Sequence, residues 1–311
     1  MSESQFQNFN HLKIHSQYSI CEGAIKIDDL KEFSKTNKIQ SLGLSDTTNL
    51  CGALEFAEKI SKVGTQPIIG TQINFKFNDI VGLLPLFALD EEGYKRIIKL
   101  SSFSFLNNDE LSEPHLDFNE LLEDTHGVAV LSGTIFGLFG QLFDKGKFTE
   151  IKDLYNKLKE KFGDRFYLEI QRHNDQNELS FEKFNLNKSL ELSIPLIATN
   201  EVFYLNKDMH EAHDALICIG RKTYINDKTR KRYSDQHYLK SNLEMAELFS
   251  DLPEALENNY NFPLRCNFRP LFSNPILPNI SSEKGGNADD VLKKDSLHGL
   301  RIKFDKIFGI K

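Results

Sequence analysis

Short apolar segments alternate with longer amphipathic segments between residue 10 and about residue 205. The apolar segments have the length of strands, and the segments between them mostly leave room for crossover helices. Repeated strand and helix units of this kind are typical of parallel α/β folds. The predicted strands are 11–15, 40–46, 66–75, 82–89, 128–133, 166–170 and 194–200. The pattern therefore predicts an α/β fold, either a barrel or a doubly wound sheet.

The pattern changes after residue 205. Residues 209–222 predict one helix, and residues 238–262 have helical spacing of apolar side chains. The apolar positions of the second segment are Leu243, Met245, Leu248 and Phe249. We expect this part of the chain to form an appendage to the barrel.

The last forty residues divide into a linker and an amphipathic segment. Residues 274–288 are rich in Pro, Ser and Gly, which is typical of linkers. Residues 289–311 predict an amphipathic helix at the truncated start of a further domain. The expected organisation is a first domain over 1–273, a linker over 274–288 and this further segment.

Composition narrows the class of protein. The 311 residues are 40% apolar and 27% charged, proportions that exclude collagen-like and wholly disordered chains. The four Cys are far apart and lack the paired spacing of zinc sites, which fits a reducing cytoplasm. The polar first residues and the absence of an 18-residue apolar stretch predict neither export nor a membrane span.

Charge is distributed unevenly along the chain. The net charge of −7 disfavours a stand-alone DNA-binding protein. Residues 221–240, however, contain seven basic and two acidic residues, a net charge of +5, with interleaved tyrosines. Arg230, Lys231 and Arg232 are therefore candidate nucleic-acid contacts, because such a segment can bind phosphates and stack on bases. The alternative is a solvated surface loop.

Polar residues stand where several predicted strands end. In parallel α/β folds the ligand site lies beyond the carboxyl ends of the strands. This rule selects His15, Asp46, Gln72, Glu169 and the pair Asn200 and Glu201. We expect these side chains to meet at one end of the sheet.

The first predicted strand carries an incomplete metal motif. The two-residue period of a strand puts His11, Lys13 and His15 on one face. Histidine nitrogens suit divalent metals, but a lysine ammonium has no lone pair at neutral pH and repels a cation. The motif thus indicates a damaged metal site.

Five separated blocks identify a family. Residues 11–30, 42–60, 66–75, 195–220 and 238–259 resemble, in order and spacing, the amino-terminal region of bacterial DNA polymerase III alpha subunits. The resemblance implies a PHP (polymerase and histidinol phosphatase) domain, a distorted (β/α)7 TIM-like barrel. Intact members of that family bind up to three metal ions and hydrolyse phosphoesters.

Carried over residue by residue, the family's metal pattern is incomplete in this chain. Non-ligand residues stand at four positions of the pattern, Lys13, Thr47, Gln72 and Phe203. Ligand types remain at His15, Glu22, Asp46, His173 and Glu201. The resemblance therefore implies a vestigial PHP cleft, with no catalytic residue and no metal ion or other cofactor in this chain.

The same resemblance implies a role in a larger enzyme. The barrel would be structural and would dock the epsilon proofreading exonuclease among other replicase subunits. The parent protein would carry out template-directed DNA synthesis on primer–template DNA with Mg²⁺. Residues 289–311 would be the truncated start of its polymerase (palm) domain, whose catalytic aspartates lie further downstream. No membrane partner is expected.

Further hypotheses concern the cleft and the alternatives. Buried carboxylates need a cation, so we expect Lys13 to pair with Glu22 or Asp46 across the barrel mouth.

A stand-alone metal-dependent PHP phosphoesterase is the first alternative function, with ligands at His15, Glu22, Asp46, His173 and Glu201. A binding module unrelated to any polymerase is the second.

Overall fold

A computed structural model describes residues 9–108, 112–230, 232–275 and 287–309. The strands in these residues are β1 (Lys13–Ile14), β2 (Ser41–Thr47), β3 (Gln66–Phe77), β4 (Ile80–Ala88), β5 (Leu116–Asp117), β6 (Val128–Leu131), β7 (Phe166–Ile170), β8 (Leu196–Ala198) and β9 (Glu201–Val202). The helices are α1 (Ile27–Asn37), α2 (Ala53–Ser61), α3 (Glu91–Leu106), α4 (Phe118–Glu123), α5 (Leu138–Asp144), α6 (Phe148–Phe162), α7 (Glu178–Leu192), α8 (His210–Arg221), α9 (Asn242–Leu248), α10 (Pro253–Asn261) and α11 (Ala288–Phe308).

The strands curl into a distorted TIM-like barrel. The main sheet has the order β2-β3-β4-β6-β7-β8, and β1 pairs in parallel with β9, which follows β8 directly along the chain. On its other side β1 meets β2, where the backbone N–H of Gly43 donates to the carbonyl of His11 at 2.7 Å. The expected α/β barrel is confirmed.

Glycine is required at the contact between β1 and β2. A Cβ atom at Gly43 would lie 2.3 Å from the carbonyl oxygen of Leu12, far inside van der Waals contact. The missing side chain lets the two backbones approach closely enough to hydrogen-bond.

One strand departs from the parallel pattern that the sequence predicted. β4, predicted at 82–89, runs antiparallel to both β3 and β6. Only Asn78 and Asp79 separate β3 from β4, and a connection this short can join only antiparallel strands. Asn78 has a φ of 55°, a conformation that asparagine tolerates well in tight hairpins.

The barrel interior is filled by apolar side chains from neighbouring strands. The strand residues of this cluster include Leu12 beside β1, Ile68 of β3, Phe87 of β4, Leu131 of β6, Tyr167 of β7 and Ile197 of β8. Phe262, which follows α10, is fully buried in the same cluster. This apolar cluster fills the barrel on the side of Phe262, and the polar groups lie at the other end of the strands.

Residues 238–262 are part of the packed barrel, so the expected appendage is wrong. Met245 and Phe249 are fully buried in the largest apolar cluster, whereas Leu243, predicted on the same face, is 73% exposed. The predicted helical segment is also divided into α9 and α10. Pro253 has no N–H to bond within a continuing helix and instead occupies the first turn of α10.

Contacts divide the chain into two units, one ending at Leu271 and the other beginning at Phe272. In the second unit α11 has no buried residue. Residues 276–286, most of the predicted linker, lie outside the described residues, and the domain boundaries stay predictions. None of the described helices has the length and apolar character that a membrane span requires.

Candidate functional site

Most of the predicted cleft residues meet at the end of the barrel opposite Phe262. A cavity of about 340 Å³ lies there. Six of the nine predicted residues line it, His15, Glu22, Thr47, Gln72, Glu201 and Phe203. The other three, Lys13, Asp46 and His173, are buried, with exposures of 0%, 0% and 1%. The strand-end rule selected three of the six lining residues, His15, Gln72 and Glu201, and the family resemblance supplied the other three.

Lys13 lies between two carboxylates. Its Nζ is 2.8 Å from Oε2 of Glu201 and 3.2 Å from Oε1 of Glu169, and its side chain is fully buried. Burial by itself would lower the pKa of Lys13, but the charges of Glu169 and Glu201 raise it above its ordinary value. The side chain is therefore an ammonium ion.

The predicted partners of Lys13, Glu22 and Asp46, are wrong. Strand β1 is in register with β9, so that Lys13 faces Glu201 directly. Glu169 on β7 completes the pair of acceptors. The general expectation that a buried cation holds cleft carboxylates is correct. The strand pairing, however, places Lys13 beside Glu169 and Glu201.

Glu201 has a second set of partners. Its Oε1 is 2.7 Å from Nε2 of His15, and Gln72 donates to the same oxygen. Burial would raise the pKa of Glu201, but Lys13 and His15 reverse the effect and hold it well below its ordinary value. For His15, burial would lower the pKa, and the hydrogen bond and charge of Glu201 raise it instead.

Asp46 points into the turn that follows β1. It accepts hydrogen bonds from the backbone N–H of Ser16 at 2.7 Å, from the Ser16 hydroxyl at 2.8 Å and from the Ser19 hydroxyl at 2.7 Å. Burial raises the pKa of Asp46, and these hydrogen bonds oppose the rise. Glu22, nearer the cavity, accepts from the hydroxyl of Thr47.

The donor set of the cleft does not fit the metal cluster that the fold family implies. The carboxylate of Glu201 already accepts hydrogen bonds from Lys13 and His15. The carboxylate of Asp46 accepts hydrogen bonds from Ser16 and Ser19. An ammonium ion 2.8 Å from Glu201 would also repel a divalent cation placed among these groups. The geometry is that of a closed ion-pair and hydrogen-bond network.

A second group of potential ligands shares only His173 with the predicted cleft, and its other two members line the same cavity. His173, Asp175 and His237 each offer a donor atom, and these atoms lie within 4.8 Å of one another. The two imidazole rings stack with centroids 4.0 Å apart. Burial lowers the pKa of each histidine to about 4, so both rings are neutral.

Sequence reasoning found only His173 of this group. Asp175 lies two residues further on, just past the end of β7, and the strand-end rule could have selected it. His237 is 62 residues beyond Asp175, within the basic segment, and no local pattern linked it to the strand ends.

The basic segment is held to the protein by an ion pair. Arg230 donates to both carboxylate oxygens of Asp214, at 2.5 and 2.6 Å, and its side chain is 6% exposed. Arg232 is 58% exposed and contacts the same carboxylate at 3.3 Å. Lys231 lies outside the described residues. Arg230 is therefore engaged with Asp214, and Arg232 is the candidate nucleic-acid contact whose described side chain faces solvent.

Comparison with known proteins identifies similar sequences. The family described as "PHP domain" matches residues 11–173. DNA polymerase III subunit alpha of Rickettsia conorii is 40% identical over 293 residues, which are 94% of this chain and 25% of that protein. The corresponding protein of Caulobacter vibrioides is 35% identical, over 98% of this chain and 27% of that protein. The chain spans about a quarter of the length of these curated relatives.

Among solved structures, an amidohydrolase from Chromobacterium violaceum with bound sulfate is similar over 62% of this chain and 87% of that chain. The sequence identity is 11% and the TM-score 0.42.

Proposed function

This chain belongs to the PHP domain family, and we propose that it is the amino-terminal PHP region of a replicative DNA polymerase III alpha subunit, with a structural barrel. The observation that supports a structural role is the buried ammonium of Lys13 between Glu169 and Glu201. It supplies positive charge to the cleft carboxylates without a metal ion.

A lysine cannot replace the chemistry of a metal ion. A metal in a phosphoesterase binds water, lowers the pKa of that water and polarises the phosphoryl oxygens. An ammonium ion has no open coordination position, and this one is fully buried behind the cavity. The cleft of this chain therefore holds strands together instead of activating water.

The activity of the parent protein is part of the proposal. The similarity to alpha subunits supports template-directed DNA synthesis on primer–template DNA, with Mg²⁺ bound by a palm domain outside this chain. In that setting the barrel serves as a docking surface for the epsilon proofreading exonuclease and other replicase subunits in the cytoplasm. Size-exclusion chromatography of the chain mixed with the purified exonuclease should give a complex. Two separate peaks at micromolar concentrations would contradict docking.

A metal-dependent phosphoesterase is the second candidate. The observation in its favour is the cavity of about 340 Å³, which His15, Glu22 and Glu201 line. Hydrolysis of bis(p-nitrophenyl) phosphate with added Mn²⁺ or Zn²⁺ distinguishes the two functions. We expect the chain to show no turnover above that of a His15→Asn variant. Turnover that disappears in His15→Asn but persists in a surface control, His126→Asn, would establish the phosphoesterase.

A further inference from the structure

We propose that Asp175 and His237, with His173 as third ligand, bind one divalent transition-metal ion of the zinc class at the barrel mouth. Of these three residues only His173 belongs to the metal pattern that the family resemblance implies. Nε2 of His237 and Oδ2 of Asp175 are 2.9 Å apart. The side chains are 3% and 4% exposed, so the two atoms meet in a protected place. Lys13 and the carboxylates around it take no part, and the proposal leaves the structural role of the cleft unchanged.

The hydrogen bond on the far side of the His237 ring determines which nitrogen is free. Nδ1 of His237 is 3.1 Å from the backbone carbonyl oxygen of Glu201. A carbonyl oxygen only accepts, so Nδ1 donates to it. Nε2 then faces an oxygen of Asp175 at 2.9 Å, a separation that requires a cation between the two atoms, either a proton or a metal ion. Zinc titration distinguishes the two.

The arrangement matches that of metal-binding histidines in two respects. Such a ring typically donates its other N–H to a backbone carbonyl or a carboxylate, as His237 does to Glu201. Zinc bonds to nitrogen and oxygen are about 2.0–2.2 Å long, so donors 2.9 Å apart subtend an angle of roughly 90° at the ion. The pair can therefore act as adjacent ligands with little movement.

His173 is the third donor. Its Nδ1 lies 3.2 Å from Oε1 of Glu178, which can accept the ring proton. Its Nε2 accepts from the backbone N–H of Glu201 at 3.2 Å and lies 3.0 Å from Oδ1 of Asn200, so Nε2 must leave these partners to bind the ion. The rings of His173 and His237 are parallel to within 3°. A nitrogen lone pair lies in the plane of its ring, so His173 must turn out of the stack to share the ion with His237.

Solvent can reach the site. Asp175 and His237 both line the cavity at the barrel mouth, and Asp175 also lines a second, open depression with Asn174 and Arg232. An ion can enter from either side, and water can complete its coordination shell.

Zinc titration of the intact chain by calorimetry tests the proposal. We expect about one equivalent to bind at neutral pH, and the binding to be lost in Asp175→Asn and in His237→Gln, both of which keep a side chain of similar size. The cleft variant His15→Asn and the surface control His126→Gln should bind as the unchanged chain does. Circular dichroism confirms that each variant is folded.

Two results would overturn the proposal. One is the absence of zinc binding by the unchanged chain. The other is binding that His15→Asn removes and His237→Gln retains, which would place the ion in the family cleft. X-ray absorption of the zinc-loaded chain needs no variant to fold, and we expect two imidazole nitrogens in the shell. A shell without imidazole would equally refute the assignment.

Discussion

The ammonium nitrogen of Lys13 lies 2.8 Å from Oε2 of Glu201, with side-chain exposures of 0% and 7%. The two residues are direct partners in the register of β1 and β9. Their ion pair therefore sits at the point where the first strand of the barrel meets the last. Glu169 on β7 ties a third strand to the same ammonium. At this position, where the resemblance implies a metal ligand, Lys13 instead links three strands.

Glu201→Gln should destabilise the chain in a pH-dependent way. The pKa of Glu201 is below its unfolded value, so its contribution is present above the unfolded pKa of about 4.5 and is lost as pH falls through the folded pKa. The pKa of His15 is raised, so the contribution of His15 to stability is present below about pH 6.5 and is lost as pH rises through the folded pKa.

Urea unfolding of both proteins across pH measures this effect. The difference in unfolding free energy should be about 3–5 kcal/mol near pH 6, because two buried cations lose their partner. The difference in unfolding free energy should become smaller below about pH 4.5, where the contribution of Glu201 is lost. It should also become slightly smaller in alkali, where the contribution of His15 is lost. A difference that grows as the pH falls below 4.5 would contradict the assigned charges.

Gly43→Ala should weaken the closure between β1 and β2. The new methyl group would lie 2.3 Å from the carbonyl oxygen of Leu12 and push the strands apart. We expect a loss of about 3 kcal/mol in urea unfolding, at the upper end of overpacking effects. Gly299→Ala is the matched control, because that glycine lies in α11 with open space around it and alanine favours helix. Equal stability of Gly43→Ala and the unchanged chain would refute the close approach.

Arg230→Met and Arg232→Met should differ in their effect on stability. The first substitution removes both hydrogen bonds to the carboxylate of Asp214, which is 6% exposed. The second removes an exposed side chain. We expect Tm to fall by several degrees in Arg230→Met and to change little in Arg232→Met. The opposite order in differential scanning calorimetry would mean that Arg230 is free to bind other groups.

The nucleic-acid prediction is tested separately. Charge reversal at Arg232, in a full alpha subunit, should weaken DNA binding more at low salt than at high salt, because exposed phosphate contacts are screened. Unchanged affinity at every salt concentration would remove Arg232 from the DNA contacts.

Local pattern was enough to predict some elements but not their pairing. β7 coincides with the predicted strand at 166–170, because this five-residue segment has the length of a strand and is rich in aromatic and branched residues. The pattern did not predict the direction of β4, although Asn78 and Asp79 are both residue types that favour turns. The repeated pattern favoured parallel strands here too, but the two-residue connection between β3 and β4 can join only antiparallel strands.

In the candidate site, too, local pattern selected residues but did not predict which of them are in contact. Strand ends selected Glu169 and Glu201 without indicating that Lys13 joins them, because strand register depends on contacts distant in sequence. His237 was missed for the same reason. It comes to Asp175 through the packing of residues 232–241 on the barrel mouth, which periodicity does not report.

Urea unfolding of Lys13→Met is the most direct test of the central claim, that the ammonium of Lys13 holds the cleft together. Methionine keeps most of the length of the side chain but leaves Glu169 and Glu201 without their cation. We predict a loss of about 3–5 kcal/mol. A further change of Glu169 and Glu201 to Gln should recover part of it, and Lys59→Met, which breaks surface ion pairs, should have little effect. An unfolding midpoint of Lys13→Met equal to that of the unchanged chain would contradict the account.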